Sequence, residues 1–317
     1  MPWTVAGVSH IFLIYFGYII ISLASLFGNS FIIHVIRTDN SMKTTVNYLI
    51  LNQACADLLI TLLEFMNASH YTSFHYLWFG GIGGLISCKL FKASFVILPF
   101  FSVWILVIIA FERYYAVIRP LKLLPLFQNL KKTIVLLWVW STLFSTGILV
   151  SANLVKIKES HYCFVLSASP FWEKYNMIFL ALNSLLPLLI IGVIYAVICV
   201  KMWSREIPGD GNNRTQGQAD AIKTAWKVTR MMIAVVVLFL VSWLPMQISS
   251  TLQSFGHVQI DHNLGFFLLW LTVVYSGLNP YVYFIFSAKF RKTLKRVFGN
   301  FNSVLHYRSQ SVELQQI

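Results

Sequence analysis

Charged residues are scarce in this chain of 317 amino acids. Asp, Glu, Lys and Arg make up only 11% of the sequence, whereas apolar residues make up 57%. A soluble domain of this length carries about a quarter charged residues. Water therefore cannot be the solvent for most of the surface, and the composition excludes an ordinary soluble globular protein.

Internal repeats and the residue spacings of catalytic metal sites are also lacking. No pattern such as HExxH occurs, and Asp57 and Glu64, two acids within apolar runs, have no His or Cys constellation beside them. An enzyme is therefore disfavoured. A membrane transporter would need an internal repeat or paired broken helices, and neither is visible, so a transporter is only a distant alternative.

Long apolar runs are what the chain does contain. Roughly 20 apolar residues span a bilayer core as a helix. The segments that qualify are about 11–36, 46–68, 86–118, 133–155, 175–203, 226–252 and 264–286. The loops between them are short, so residues 11–286 are predicted to form one all-α bundle of seven transmembrane helices. We expect no cleavable signal peptide, because no basic region precedes the first run and the run lacks a cleavage site.

Lys and Arg are divided unequally between the two sides of this bundle. One side holds five of them, and the side with the C-terminus holds the remaining 19 of 24. The positive-inside rule then predicts a plasma-membrane protein with an extracellular N-terminal tail (1–10) and a cytoplasmic C-terminal tail (299–317). The net charge of +13 is thus explained by topology and by contact with anionic membrane lipids, and not by nucleic acid.

Two of the four cysteines lie on the predicted outer side. Cys88 opens the third span, and Cys163 lies in the long loop after the fourth. Because that compartment is oxidising, we expect them to form a disulfide. The bond would tie the loop over the third helix and stabilise the fold by about 2–4 kcal/mol. Cys55 and Cys199 lie within spans and are expected to be small buried side chains.

Every span also carries at least one short motif. Arg113 follows Cys88 by 25 residues, a helical rise of roughly 37 Å, which crosses a membrane at a tilt. The motifs are Gly28-Asn29, Asn52-Gln53-Ala54-Cys55-Ala56-Asp57-Leu58, Cys88 with Glu112-Arg113-Tyr114, Trp138 with Ser141, Pro187 with Tyr195, Phe239 with Trp243 and Pro245, and Asn279-Pro280-Tyr281-Val282-Tyr283. On these motifs, residues from about 11 to 298 resemble the rhodopsin-like (class A) G-protein-coupled receptors.

The resemblance implies a docking point for a heterotrimeric G protein at the cytoplasmic end of the third span. Glu112 and Arg113 would pair at rest, and Arg113 would swing free on activation to line a cavity for a Gα subunit. The other residues implied in coupling are Tyr114, Leu121, Tyr195 and Tyr283. The residues implied to repack on activation are Val103, Pro187, Phe239, Trp243, Pro245, Asn279 and Pro280. Arrestin and a receptor kinase are further implied partners.

One element of the family's resting state is absent from the sequence. Many relatives hold the cation equivalent to Arg113 with an acid 20 residues before the proline of the sixth span, where this chain has Ala225. We therefore expect raised basal signalling.

The resemblance further implies an allosteric sodium ion and no other cofactor. The implied ligands are Asp57, Ser102, Asn29, Asn279 and Ser276, and such an oxygen-lined site suits a hard cation. The chain departs from the family at Tyr275, where Asn is usual, and a phenol there could crowd the cavity. The alternative is a protonated Asp57 within a hydrogen-bonded cluster.

The ligand is less constrained. Phe95 stands where amine receptors have Asp, and Val273 stands where opsins carry the retinal-binding Lys, which disfavours a monoamine and excludes retinal. The alternation over 155–158 predicts a strand, and a hairpin tethered at Cys163 resembles the peptide receptors of the family. A neuropeptide is the favoured ligand, and a chemosensory molecule or a lipid mediator is the alternative.

Six residues are candidates for the ligand pocket. They are Glu64, Lys92, Phe95, Trp243, Gln247 and Trp270. Glu64 could meet a ligand cation and Lys92 an anion. The alternative is that both side chains extend to the membrane interface or pair with each other.

Two further patterns lie near the ends of the spans. Phe290, Leu294, Val297 and Phe298 recur with helical spacing opposite basic residues, which predicts an amphipathic eighth helix over 287–298 on the inner leaflet. Asn67, followed by Ala68 and Ser69, matches a glycosylation acceptor close to the membrane.

Overall fold

The structure, a computed structural model, describes residues 5–72, 77–119, 129–165, 170–206, 216–256, 259 and 261–296. Most of them are helical. Five spans are single helices: Val5–Thr38, Thr45–Thr72, Gly81–Ile118, Gln216–Ser254 and His262–Phe286. These are the first, second, third, sixth and seventh spans. The first helix begins within the segment predicted as the N-terminal tail, of which residues 1–4 lie outside the described ranges.

Six helical segments among the described residues are long and apolar enough to cross a bilayer. The fourth span is the exception, because it is divided into Leu130–Phe144 and Thr146–Ser151. At the junction, the Ser145 hydroxyl donates to the carbonyl of Thr142 at 2.7 Å. A serine side chain that bonds the preceding turn competes with the helical ladder and favours a break. The helix of the fourth span ends at Ser151. Residues 152–155, which the sequence predicts as the end of this span, are in a strand.

The fifth span contains a wide turn at a proline. Its two α-helical parts, Pro170–Leu180 and Leu186–Glu206, are joined by a π-helical turn, Ala181–Leu185. Pro187 has no N–H to donate to the carbonyl four residues earlier, which explains why the helix widens here. The turn directs Asn183 and Ser184 into the bundle, where both are buried.

A small antiparallel sheet covers one end of the bundle, which we call the hairpin end. Strands β2 (Ala152–Ile157) and β3 (Ser160–Val165) form a hairpin, and β1 (Leu77–Trp78) pairs with the other edge of β3. The expected strand is confirmed, although Lys158 lies in the turn at φ 56°. The disulfide between Cys88 and Cys163, with Cα atoms 5.6 Å apart, joins β3 to the third span and is also confirmed.

Some apolar side chains of the bundle are buried in its core, and others are exposed on its outer surface. The third span is the most enclosed, and a single buried core surrounds its second half. The fifth span instead exposes a row of apolar side chains, with Leu189 66%, Val193 56% and Val200 70% accessible. Soluble monomers rarely expose large contiguous apolar patches, so this outer surface is suited to lipid.

Small residues allow the first and seventh spans to approach closely. A Cβ on Gly28 would lie 2.8 Å from the Cβ of Pro280, so only glycine fits there without displacement. Beside this contact, the Asn29 amide donates to the carbonyl of Ser276 at 3.0 Å. The first motif of the chain therefore packs against the last.

A short helix over 288–296 follows the seventh span. Phe290 is buried and packs against Tyr283 and Phe284, with ring centroids 6.2 and 6.3 Å away. Arg296 pairs with Asp39, in the loop after the first span, at 2.5 Å. Residues 297 and 298 of the predicted eighth helix lie outside the described residues.

Candidate functional sites

The hairpin end of the bundle contains a cavity of about 280 Å³. The second to seventh spans all contribute to its walls. Five of the six residues predicted for a ligand pocket line it: Glu64, Lys92, Phe95, Trp243 and Gln247. Because Lys92 is one helical turn after Cys88, the cavity lies beneath the tethered hairpin.

Trp270, the sixth predicted pocket residue, lies elsewhere. Its ring packs with the buried cluster of Tyr18 and Phe266, and its indole nitrogen would be 3.3 Å from a Cβ on Gly17. The face of the seventh span that lines the cavity is formed instead by Leu269 and Thr272. Trp270 is therefore corrected to a packing residue between the first and seventh spans.

Asn67 is half-buried and lines this cavity. It lies one helical turn beyond Glu64 on the second span, and its side chain lines the same space. Glycosylation at Asn67 stays a prediction, and the residue is also part of the pocket, which sequence analysis did not identify.

Several polar atoms in the cavity walls are not satisfied by the described residues. Glu64 is 2% exposed. Its carboxyl has Asn67 and Thr272 as hydrogen-bonding neighbours, with Thr272 Oγ1 donating to Oε1 at 3.3 Å, whereas Oε2 has no partner among the described residues. Ser184 donates to Gln247 Oε1, while Gln247 Nε2 has no partner. Buried polar groups are normally paired. The cavity thus offers a ligand a hydrogen-bond acceptor at Glu64 Oε2 and a donor at Gln247 Nε2.

The floor of the cavity is continuous with the residues predicted to repack on activation. Trp243 stacks on Phe239 at 6.3 Å, and Phe239 meets Tyr275 edge to face at 5.3 Å. Val103 belongs to the same core, and Pro187 is also buried. A ligand that displaces Trp243 would therefore disturb packing deep in the bundle.

The sixth helix runs through Pro245 without ending. Proline cannot donate to the carbonyl four residues earlier, so the ladder is weakened between the cavity floor and the rest of the span. This is where a bend of the helix has the lowest energetic cost.

Asp57 lies at the centre of a polar cluster between the second and seventh spans. It exposes no surface. Asn279 Nδ2 donates to its Oδ2 at 2.7 Å, and Ser276 Oγ donates to its Oδ1 at 3.4 Å. Asn29 joins the cluster through the carbonyl of Ser276, whereas the buried Ser102 hydroxyl has no partner among the described residues.

The residues predicted to bind sodium are partly committed to hydrogen bonds within the protein. Both carboxylate oxygens of Asp57 accept hydrogen bonds, and Asn29 points its amide NH₂, which cannot coordinate a cation, at the carbonyls of Ser25 and Ser276. Two of the five predicted ligands have a buried oxygen without a hydrogen-bond partner among the described residues, namely Ser102 Oγ and Asn279 Oδ1. Sodium is coordinated by oxygen lone pairs, so an ion would have to use these two oxygens and the lone pairs of Asp57 that accept no hydrogen bond.

At the end of the bundle opposite the hairpin, Glu112 and Arg113 form an ion pair within the third helix. Their side chains are 16% and 21% exposed. Tyr195 and Tyr283 are buried in the adjoining core, and Tyr114 packs against that core beside Tyr115. The pairing is the one that the sequence resemblance implies for a resting state. Leu121 lies outside the described residues.

Comparison with known proteins is consistent with this arrangement. Residues 28–283 match the family described as 7 transmembrane receptor (rhodopsin family). The chain is 30% identical over 307 residues to the substance-P receptor of Aquarana catesbeiana, covering 94% of this chain and 71% of that protein. It is 29% identical to the human substance-P receptor, over 89% of this chain and 70% of that protein. It is 26% identical to the RYamide receptor of Tribolium castaneum, over 93% of this chain and 82% of that protein.

Proposed function

Because the chain belongs to the rhodopsin family of seven-transmembrane receptors, it is a receptor and not an enzyme, and we propose that it binds an extracellular neuropeptide and activates a heterotrimeric G protein. The similar proteins are receptors for substance P and for RYamide, which are peptides. Their similarity extends over most of this chain. A peptide is therefore preferred to a chemosensory molecule or a lipid mediator.

The observation that carries this proposal is the cavity beneath the hairpin. It is concave, mostly apolar and contains a few convergent polar groups, as ligand sites usually do. The acceptor at Glu64 Oε2 suits an N–H donor or a cation on the ligand, and Lys92 lies in the same walls to meet an acceptor. A peptide offers both kinds of group along its backbone and side chains.

The packing beneath the cavity supports a route from ligand to G protein. A ligand touching Trp243 shifts Phe239, and the weakened ladder at Pro245 lets the sixth helix swing. The opposite end of the bundle then opens, and Arg113 leaves Glu112 to meet the Gα subunit. Tyr195 and Tyr283, near this point, support the open arrangement. Arrestin and a receptor kinase would recognise the same open form.

A screen of a peptide library in cells with a promiscuous Gα reporter tests the proposal. We expect one or more peptides to activate the wild-type receptor, and Arg113→Ala to abolish the response while surface expression is kept. Activation by lipids or volatile molecules with no peptide response would favour the alternative ligand classes. Ligand-driven flux of a solute without nucleotide exchange would favour a transporter.

A further inference from the structure

Gln53 and Tyr275 form a hydrogen bond in the middle of the bundle. Gln53 Nε2 donates to the Tyr275 hydroxyl oxygen at 2.8 Å, and neither side chain exposes any surface. The bond joins the second span to the seventh. Buried polar pairs of this kind fix the relative position of the elements that carry them.

The position of the pair is next to the cluster around Asp57. Gln53 is one helical turn from Asp57 on the second span, and Tyr275 immediately precedes Ser276 on the seventh. The phenol extends between these spans to reach Gln53, and its ring also contacts Phe239 of the sixth span at 5.3 Å. One side chain therefore touches three spans at the depth where the family resemblance implies an ion.

Nearby donors already bond to both oxygens of the Asp57 carboxylate. Asn279 and Ser276 each donate to a different oxygen of Asp57. A cation at this carboxylate, which could also use the unpaired oxygens of Ser102 and Asn279, would have to find room beside a ring larger than the Asn usual at position 275. Protein interiors are close-packed, and making that room is costly.

We propose that the Tyr275 phenol, held by Gln53, takes the place of the sodium ion at this site. The receptor then links its second, sixth and seventh spans with a built-in side chain, and its resting state is independent of sodium concentration. Removing the ring, and not merely the hydroxyl, is what makes room for an ion.

The test is thermal unfolding of the purified receptor in sodium chloride and in choline chloride at equal ionic strength. The wild type is expected to unfold at the same temperature in both salts. Tyr275→Asn is expected to unfold at a temperature roughly 2–4 °C higher in sodium than in choline. Adding Asp57→Asn to that variant should remove the difference.

Tyr275→Phe is the matched control, because it keeps the ring and removes only the bond to Gln53. It is expected to unfold at a lower temperature than the wild type, equally in both salts. Should Tyr275→Asn fail to fold, Tyr275→Ser and sodium-23 line broadening on the unmodified receptor provide the same comparison.

Two results would overturn the proposal. One is a sodium-dependent stabilisation of the wild type that Asp57→Asn abolishes. The other is a folded Tyr275→Asn variant that is as indifferent to sodium as the wild type, because the ring would then not be what excludes the ion. The measurement uses neither ligand nor G protein, so its outcome is independent of the proposed function.

Discussion

At the scale of single residues, Glu64 gives the cavity its chemical preference. A nearly fully buried carboxylate with one unpaired oxygen is costly in an apolar bundle unless a ligand or water satisfies it. Sequence analysis could identify the residue as an unusual acid within a span. Only the structure shows that its unpaired oxygen belongs to a cavity wall.

Glu64→Gln is predicted to weaken the activating ligand by about 10–100-fold, since a hydrogen bond to a charged group contributes about 1.5–3 kcal/mol. The measurement is the concentration of ligand for half-maximal nucleotide exchange. Glu159→Gln makes the same change on the exposed hairpin turn, where the acid only pairs with Lys156 at 3.8 Å. Equal losses in the two variants would contradict a specific contact at Glu64.

The ion pair of Arg113 is the second feature that depends on single residues. Ala225, in the sixth helix, provides no carboxylate to hold the cation from the neighbouring span. Ala225→Glu is predicted to lower basal nucleotide exchange several-fold, because a second acid would stabilise the resting position of Arg113. Ala221→Glu, one turn earlier, is the control, and an unchanged basal rate in Ala225→Glu would contradict the expectation.

At the scale of elements, Asp39 connects the loop after the first span to the short helix over 288–296. It accepts hydrogen bonds from the N–H and hydroxyl of Ser41 at 2.9 and 2.8 Å and pairs with Arg296. The bonds from Ser41, followed by the contact with Arg296, lower the pKa of Asp39 to about 2. The charged carboxylate therefore both caps a turn and anchors the helix.

The contacts of the Asp39 carboxylate lead to a prediction about pH. Because the folded pKa lies below the usual value of about 3.9, the stabilisation is fully present above that value and is lost as the pH falls towards about 2. Hydrogen-exchange protection of residues 288–296 should decrease over this range in the wild type. Asp39→Asn should show lower protection with no such decrease. Asp261→Asn, at the N-cap of the seventh span, should behave like the wild type.

The interrupted fourth and fifth spans show what sequence patterns miss at this scale. Apolar content predicts both segments, but the break at Ser145 comes from a local side-chain bond, and the π-helical turn comes from Pro187. Both are consequences of backbone hydrogen bonding, which hydropathy does not record. The wide turn matters because it directs Ser184 towards Gln247 in the cavity wall.

At the scale of the whole molecule, the distribution of Lys and Arg predicts that the hairpin end faces the outside. An epitope placed after Ile317 should be detected by antibody only after the cells are permeabilised, and one placed before Met1 should be detected on intact cells. The physical reason is the retention of basic loops on the cytoplasmic side. Detection of the C-terminal epitope on intact cells would contradict both the orientation and G-protein coupling.

Much of the architecture could be predicted from the sequence by itself. The span positions follow from the length of apolar runs, the hairpin from an alternating segment, and the bridge from two cysteines on one side of the membrane. These features depend on local composition and on which compartment a loop occupies. They need no knowledge of how the helices are rotated.

The rotation and contacts of the helices were decided only by the tertiary structure. Lipid and bundle core are both apolar, so hydropathy cannot tell which face of a span points inwards. That is why the sequence predicts Trp270 for the pocket and does not predict Asn67 there, and why it does not predict the bond between Gln53 and Tyr275. Each depends on side chains from distant parts of the chain meeting inside the bundle, where packing and hydrogen bonding select one arrangement.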